Sequence, residues 1–338
     1  MAAPIHTTTA LTPAHDPRAT EGIGADYHGM DTWSNTRILT AFMDVQKRAL
    51  DAVDHAIPAI AHAADAMIAR LASTGRNRPK GRIIYTGAGT SGRLAAVDGM
   101  EIGPTFDWPD DKVVFAIAEP LELKTGTSRD GLEDRTDLAE QRVRDLAIGP
   151  DDVVIALAAS GTTPYTRTFA QEAKKAGAVV IGMANNPEAP LLADATHPIL
   201  LDTGAEAISG STRMGAGTAQ KAALTLLSSL VMAKLPGIHG VHDGIMANMR
   251  KPPNAKLADR AYRTVSRLTG CDEPTARAAL TTTEGDIKAA SLVALGATPA
   301  EAETTLTESN NHLREATKTF AERHAERKAQ PSSARALR

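Results

Sequence analysis

The spacing of apolar and polar positions changes several times along this chain, and the changes divide it into segments. From Ser34 to about Leu71 the period is helical. Ile38, Leu39, Phe42 and Met43 begin it, and Leu50, Val53, Ile57, Ile60, Ala64, Met67, Ile68 and Leu71 carry it on. Pro58 is expected to mark a break or a start between two helices there, because proline lacks the amide that a helix interior uses. Beyond Ser73–Lys80, short β-type runs alternate with helical patterns. Strands are expected near 82–86, 113–118, 152–158, 178–183 and 197–201. Helices are expected near 92–101, 131–146, 164–176, 188–194 and 212–234. This alternation predicts an α/β fold with a five-stranded parallel sheet and crossover helices. The last helix, with Ala222, Leu224, Leu226, Leu227, Leu230 and Val231, is expected to be buried.

After Pro252-Pro253 the pattern is helical only, in short pieces: Leu257–Leu268, Glu273–Thr281, Asp286–Leu295 and Pro299–Leu306, with Gly270 and Gly296 as stops. Four regions result. Residues 1–20 are polar and without periodicity, and are expected to be disordered. Residues 21–250 form the α/β domain with its N-terminal helices. Residues 254–320 form a small all-helical module. Residues 321–338 form a charged, then Pro/Ser-rich, flexible tail.

Three hydroxyl-rich loops stand at strand-to-helix junctions. In Ile83-Ile84-Tyr85-Thr86-Gly87-Ala88-Gly89-Thr90-Ser91-Gly92-Arg93 an apolar run stops at a glycine-rich turn and a helical pattern follows. Such a turn lets a ligand approach the backbone, and the free N–H groups and dipole of the helix start favour an anion such as phosphate. The plain alternative is an ordinary βα turn with Ser91 as N-cap. Val153–Ala159 followed by Ser160-Gly161-Thr162-Thr163-Pro164 repeats the arrangement, and Ser209-Gly210-Ser211-Thr212-Arg213 opens a third helix. Loops at the carboxyl ends of neighbouring parallel strands share one pocket at a switch point in strand order. Neither of the first two closes with Gly-Lys-Ser/Thr, and neither has the full dinucleotide spacing. A phosphorylated small molecule, of phosphosugar type, fits better than a nucleotide.

Composition narrows the classes. The 338 residues are 42% hydrophobic and 23% charged, with formal net charge −3, which gives no basic footprint for nucleic acid. Aromatic residues are 3%, too few for base-stacking platforms. One cysteine, Cys271, excludes a disulfide framework and reads as a small buried hydrophobe. No apolar run approaches the ~20 residues of a membrane span, and the N-terminus lacks a secretory apolar core. The expected location is the cytoplasm, with no membrane partner. His239 and His242 show only two metal ligands, and a loop or dimer-surface role is expected for them.

Among the carboxylates, Asp98 and Glu101 lie three apart on one helix face, and Glu133 and Asp134 open the helix near 131–146. A solvated surface or helix-start charge is the plain reading of each. Convergence on the pocket would let two of them divide acid and base roles.

These motifs resemble the N-acetylmuramic acid 6-phosphate etherase family, which has a sugar-isomerase (SIS) fold. The resemblance rests on Thr86–Arg93, Glu101 with Pro104-Thr105-Phe106, Ala158–Tyr165, and Ser209–Met214 through Ala216–Lys221. Thr269-Gly270-Cys271 and Gly285-Asp286-Ile287-Lys288 extend it into the helical module, so that it runs in order from about Thr20 to about Leu313. It implies a three-layer αβα domain with a five-stranded parallel sheet and a UBA-like helical module. The implied reaction removes lactate from C3 of the 6-phosphosugar by elimination and then hydrates the unsaturated aldehyde, without metal or redox cofactor. By motif position Glu101 would be the acid and Glu133 the base. An acid role calls for shielding from water, against an ordinary glutamate value of ~4.3. Gly89, Thr90, Ser91, Ser160, Gly161, Thr162 and Thr163 would hold phosphate and sugar, with Glu206, Ser211 and Lys221 as further candidates for the pocket wall. A homodimer with a shared pocket is implied as well.

The chain departs from the family at several points. It has Gly99-Met100-Glu101-Ile102-Gly103-Pro104-Thr105 where Ala-Ser-Glu-Cys-Pro-Pro-Thr is usual, and Gly215 where lysine is usual. Met43-Asp44-Val45-Gln46 replaces an acidic run, and 119–130 and Ile245–Pro253 also differ. These mark a divergent member. Two other readings use the same motifs: a non-catalytic phosphosugar sensor resembling the glucokinase regulatory protein, and an aldose–ketose isomerase with a glutamate base. The sensor has two SIS domains and this chain has room for one; the isomerase needs neither a leaving-group acid nor the helical module.

Overall fold

Side chains alternate across each strand, and here both faces are apolar, so the sheet is covered on both sides. The computed structural model describes residues 18–22, 24–73, 75–119, 131–249 and 255–329. The expectations for 1–17, for 120–130 with Asp130, for Pro252-Pro253 and for 330–338 lie outside the described residues.

The elements follow one another as α1 (Asn35–Leu71), β1 (Ile83–Gly87), α2 (Gly89–Phe106), β2 (Val113–Ile117), α3 (Thr136–Asp145), β3 (Val153–Leu157), α4 (Pro164–Lys175), β4 (Val179–Ala184), α5 (Pro190–Asp194), β5 (His197–Leu200) and α6 (Gly215–Lys234). The five strands are parallel in the order β2-β1-β3-β4-β5. The chain leaves β1 for β2 on one side and reaches β3 on the other, so the switch point lies between β1 and β3. Ile83, Tyr85, Val153, Ile155, Leu157, Ile181 and Met183 pack with α1, α2 and α6. Ile84, Val154, Ala156 and Val180 pack with Ala139, Phe169 and Leu191 of α3, α4 and α5. This is the expected three-layer α/β architecture with five parallel strands.

Pro58 does not divide the first helix. α1 runs unbroken for 37 residues with Pro58 inside it. Pro58 and Asp54 are both exposed, so the carbonyl that loses its helical partner faces water. At the other end of the domain, α6 opens where Glu206 accepts the N–H groups of Gly215 and Ala216, each at 2.9 Å. A Cβ at 215 would stand 2.7 Å from Val45 Cγ1 and 3.1 Å from Glu206 Oε2. Gly215→Lys is therefore expected to lower stability by about 1–3 kcal/mol, seen as a fall in the denaturant midpoint. An unchanged midpoint would show that α1 and α6 separate there without cost.

A short β6–β7 hairpin (Val241–His242 and Ile245–Met246) precedes α7 (Ala255–Thr269), α8 (Glu273–Thr282), α9 (Ile287–Ala294), α10 (Pro299–Glu308) and α11 (Leu313–Ala329). The last helix was not expected, and it continues past 320 into the region read as a flexible tail. Leu313, Ala316 and Phe320 anchor it against Leu292, Ala302 and Leu306. Its outer turns add ion pairs of Arg323 with Glu308 and Arg327 with Glu301. Cys271 is half-buried beside the α7–α9 core. Among the described residues no helix is long and apolar enough to cross a membrane.

Polar side chains join the helical module to the sheet domain. Arg76, ahead of β1, pairs with Asp286 and Glu303 and donates to Asn311 Oδ1. Asn311 Nδ2 donates to the Gly237 carbonyl at 2.8 Å. Lys288, with 0% exposure, donates to the carbonyls of Ile238 (2.6 Å) and Asn311 (2.8 Å). Burial pushes its ammonium down to about 7, against the pull of Asp286 and helped by Arg76. His239, stacked edge-on with His312, is pushed down by burial to about 4. Lys288→Met would leave two buried carbonyls without their donor, and a loss of about 2–4 kcal/mol is expected. The folded-state value of Lys288 lies below its ordinary 10.5, so the unfolded chain holds the extra proton between the two. The wild-type midpoint should therefore gain from this group as pH rises from 7 to 9, and that gain should vanish in Lys288→Met. Equal pH dependence in both proteins would refute this.

Candidate functional site

Two strand ends build the pocket floor. After β1, Ala88 is extended and Gly89, at φ +52°, starts α2, so Thr90 and Ser91 lie in its first turn. After β3, the chain passes Ala158–Thr163 and enters α4 at Pro164, with Gly161 at φ +68°. A Cβ on Gly161 would come 2.2 Å from Ala189 Cβ, which only glycine avoids. Ser160 Oγ accepts from the backbone N–H (3.2 Å) and the hydroxyl (3.0 Å) of Thr162, which tightens the loop. The two loops flank the β1/β3 switch point. Two helix N-termini and five hydroxyl side chains of these loops face one volume, an arrangement suited to a phosphate.

That volume is a pocket of about 380 Å³ lined by Gly89, Thr90, Ser91, Ser160, Thr162 and Thr163, together with Thr212 and Glu133. Gly161 lies behind the wall and shapes the turn. Glu133 sits in a 3₁₀ turn, Leu132–Asp134, entered through Gly131 at φ +84° and leading into α3. The turn places a carboxylate at the pocket edge with Asp134 beside it. Six of the sugar-binding candidates and the candidate base therefore meet in one cavity.

The other candidates do not. Glu206 is buried and both its oxygens are taken by the start of α6, so it caps that helix and does not face the pocket. Ser211 lies in the turn before α6, where its neighbour Thr212 reaches the pocket instead. Lys221 lines an adjoining groove of about 710 Å³ between α1, α2 and α6. Thr90 borders both cavities. The groove wall is mostly apolar, and Leu50, Ile57 and Leu226 remain about half exposed there.

Glu101 stands apart from Glu133. It lies eleven residues beyond Thr90 on α2, roughly 16 Å along the axis at 1.5 Å per residue. It is exposed in the single chain. Asp98, one turn earlier, points inward. It accepts from Tyr85 Oη at 2.8 Å and from Ser228 Oγ at 3.0 Å. Burial holds its carboxyl above the ordinary range, against both hydrogen bonds and Lys221, and the nearby Glu101 charge adds to the rise. Tyr85, fully buried beside that carboxyl, is pushed up strongly.

An N-terminal strap, expected to be disordered up to residue 20, adds to the pocket wall. Ala19–Glu21 form a 3₁₀ turn, and Arg18 and Glu21 both line the hydroxyl pocket. A polar, aperiodic segment gives no signal for this, because its order comes from partners more than 160 residues away. Among the described residues no group of three or more His, Cys, Asp or Glu is arranged to hold a metal ion.

Comparison with known proteins bears on the same elements. The SIS domain pattern matches residues 136–233, and that of the glucokinase regulatory protein N-terminal SIS domain matches residues 64–172. Over 301 residues the chain is 44% identical to N-acetylmuramic acid 6-phosphate etherase of Deinococcus radiodurans, covering 89% of this chain and 95% of that protein. It is 36% identical over 284 residues to the enzyme of that name from Rubrobacter xylanophilus, covering 84% and 91%. For the one from Streptomyces coelicolor the identity is 40% over 269 residues, covering 78% and 82%.

Proposed function

The chain belongs to the N-acetylmuramic acid 6-phosphate etherase family, and from that premise we propose how its pocket performs the family's reaction. The protein is a carbon–oxygen lyase that cleaves the lactyl ether of N-acetylmuramic acid 6-phosphate in cell-wall recycling. The observation that carries the site assignment is the meeting of Glu133 with both hydroxyl loops at the sheet's switch point.

The phosphate is held by Thr90, Ser91, Ser160, Thr162 and Thr163 and by the N–H groups of the α2 and α4 starts. The open-chain aldehyde acidifies C2, and Glu133 removes the C2 proton. The electron pair forms the C2–C3 double bond as the C3–oxygen bond breaks, and Glu101 protonates the departing lactyl oxygen. Water then adds its hydroxyl to C3 and returns its proton to Glu101. Glu133 returns the proton to C2, which leaves N-acetylglucosamine 6-phosphate and D-lactate. General acid and base steps of this kind contribute roughly 10²- to 10⁴-fold each.

One chain does not bring the two glutamates together, so the acid comes from a second copy. The apolar groove supports this, since an unpartnered face lined by Leu50, Ile57 and Leu226 marks an interaction surface. It adjoins the hydroxyl pocket through Thr90. In a homodimer closed over this face, Glu101 of one subunit serves the pocket of the other and loses its exposure to water. A cytoplasmic location is the reading that suits a phosphosugar substrate and a described chain with no helix long and apolar enough to cross a membrane.

The test follows D-lactate release from N-acetylmuramic acid 6-phosphate in ¹⁸O-labelled water. Elimination and hydration put solvent oxygen at C3 of the sugar product and none in the lactate. Binding without release would leave a phosphosugar sensor. Isomerisation without lactate would leave an aldose–ketose isomerase.

A further inference from the structure

A phosphate entering the hydroxyl pocket meets carboxylates as well as hydroxyls. Glu21, Glu133 and Asp134 line it, and among the described residues of its wall Arg18 is the one cation. A sugar phosphate near neutral pH carries close to two negative charges. Backbone N–H groups and hydroxyls solvate those charges without cancelling the three carboxylates. A guanidinium does cancel part of that charge, and its fork matches two phosphate oxygens.

Arg18 is placed by its neighbours. Thr20, two residues on, has 0% exposure. Its N–H donates to Asn186 Oδ1 (3.3 Å), and its hydroxyl accepts from Asn186 Nδ2 (3.1 Å). Asn186 Nδ2 also donates to the Ala159 carbonyl in the second hydroxyl loop at 3.0 Å. Gly210 N–H donates to the Thr20 carbonyl (3.0 Å), and Ser209 Oγ donates to that of Glu21 (2.6 Å). The strap is thus tied both to the loop that binds the anion and to the turn before α6.

We propose that Arg18 is a substrate-binding residue that contacts the sugar 6-phosphate, held over the pocket by the Thr20–Asn186 anchor. This rests on the pocket being the phosphosugar site argued above. The strap makes the N-terminal segment part of the site and gives the pocket its selectivity for phosphorylated sugars.

Arg18→Ala is expected to raise KM for N-acetylmuramic acid 6-phosphate, and Kd for N-acetylglucosamine 6-phosphate by calorimetry, by roughly 10- to 100-fold. The kcat should stay within a few-fold, and Arg18→Lys should recover part of the loss. Added guanidinium ion at millimolar concentration should restore binding to Arg18→Ala, which loosening of the strap alone would not allow. Thr20→Val should weaken binding less than Arg18→Ala, and the double variant should bind no worse than Arg18→Ala. An unchanged Kd in Arg18→Ala, or a loss that guanidinium does not relieve, would overturn the proposal. The outcomes separate from those for the reaction. Lactate release with an unchanged Kd in Arg18→Ala sinks the role of Arg18 alone. Tight, Arg18-dependent binding without lactate release sinks the reaction and keeps Arg18.

Discussion

Glu133→Gln is expected to reduce D-lactate release by roughly 10²- to 10⁴-fold while Kd for N-acetylglucosamine 6-phosphate moves only a few-fold. The amide keeps the size of the side chain but cannot accept the C2 proton. The rest of the pocket should persist, because Glu133 sits in an exposed 3₁₀ turn entered through Gly131 in the left-handed region, and the amide keeps the size and hydrogen-bonding capacity of the side chain. A second readout isolates the step. In deuterium oxide, wild type should exchange the C2 hydrogen of N-acetylglucosamine 6-phosphate for deuterium, and Glu133→Gln should not. Exchange at the wild-type rate in the variant would assign the base to another group.

Glu101→Gln should be as damaging to lactate release, yet its C2 exchange should survive, since exchange needs the base and not the acid. The placement of Glu101 on the open length of α2, far from Glu133 of its own chain, leads to a stronger expectation. When Glu101→Gln and Glu133→Gln chains are co-expressed, each mixed dimer assembles one site with both glutamates intact and one with neither. Random pairing then restores about a quarter of wild-type activity, although neither variant alone is active. No recovery in isolated mixed dimers would mean that each chain completes its own site, and the groove along α1 and α6 would need another occupant. Disruption of the groove by Leu50→Asp with Ile57→Asp should yield monomers inactive for the same reason.

The parts of this molecule that were legible from the residue pattern share a cause. Strands β1, β3 and β4 are buried on both faces, so they read as continuous apolar runs, and β1 and β3 end in glycine and hydroxyl clusters. Those clusters line the pocket. What escaped depends on distant partners. Arg18 looked like part of a disordered tail because its segment is tied by distant residues, among them Asn186, Ser209 and Gly210. Glu206 was a candidate for the pocket wall through the family resemblance alone, whereas its actual partners are the two amides that open α6. Helix α11 is charged around most of its surface, and its few apolar anchors do not form a full amphipathic stripe. Pro58 misled because a helix tolerates proline when the freed carbonyl is solvated, and exposure cannot be read from a single residue.

The tie between the helical module and the sheet domain has a consequence for how the chain is made. Arg76 precedes the first strand, but its partners Asp286, Glu303 and Asn311 follow it by 210, 227 and 235 residues. On a ribosome adding 5–20 residues per second, that separation is on the order of ten to fifty seconds. Through that interval the segment before β1 and the carbonyls of Gly237 and Ile238 wait without their final contacts. The nascent sheet domain is then exposed to chaperones and proteases until nearly all of the protein has been synthesised. A stall or premature stop between α6 and α9 would leave a product with the full anion pocket and no means of closing its underside.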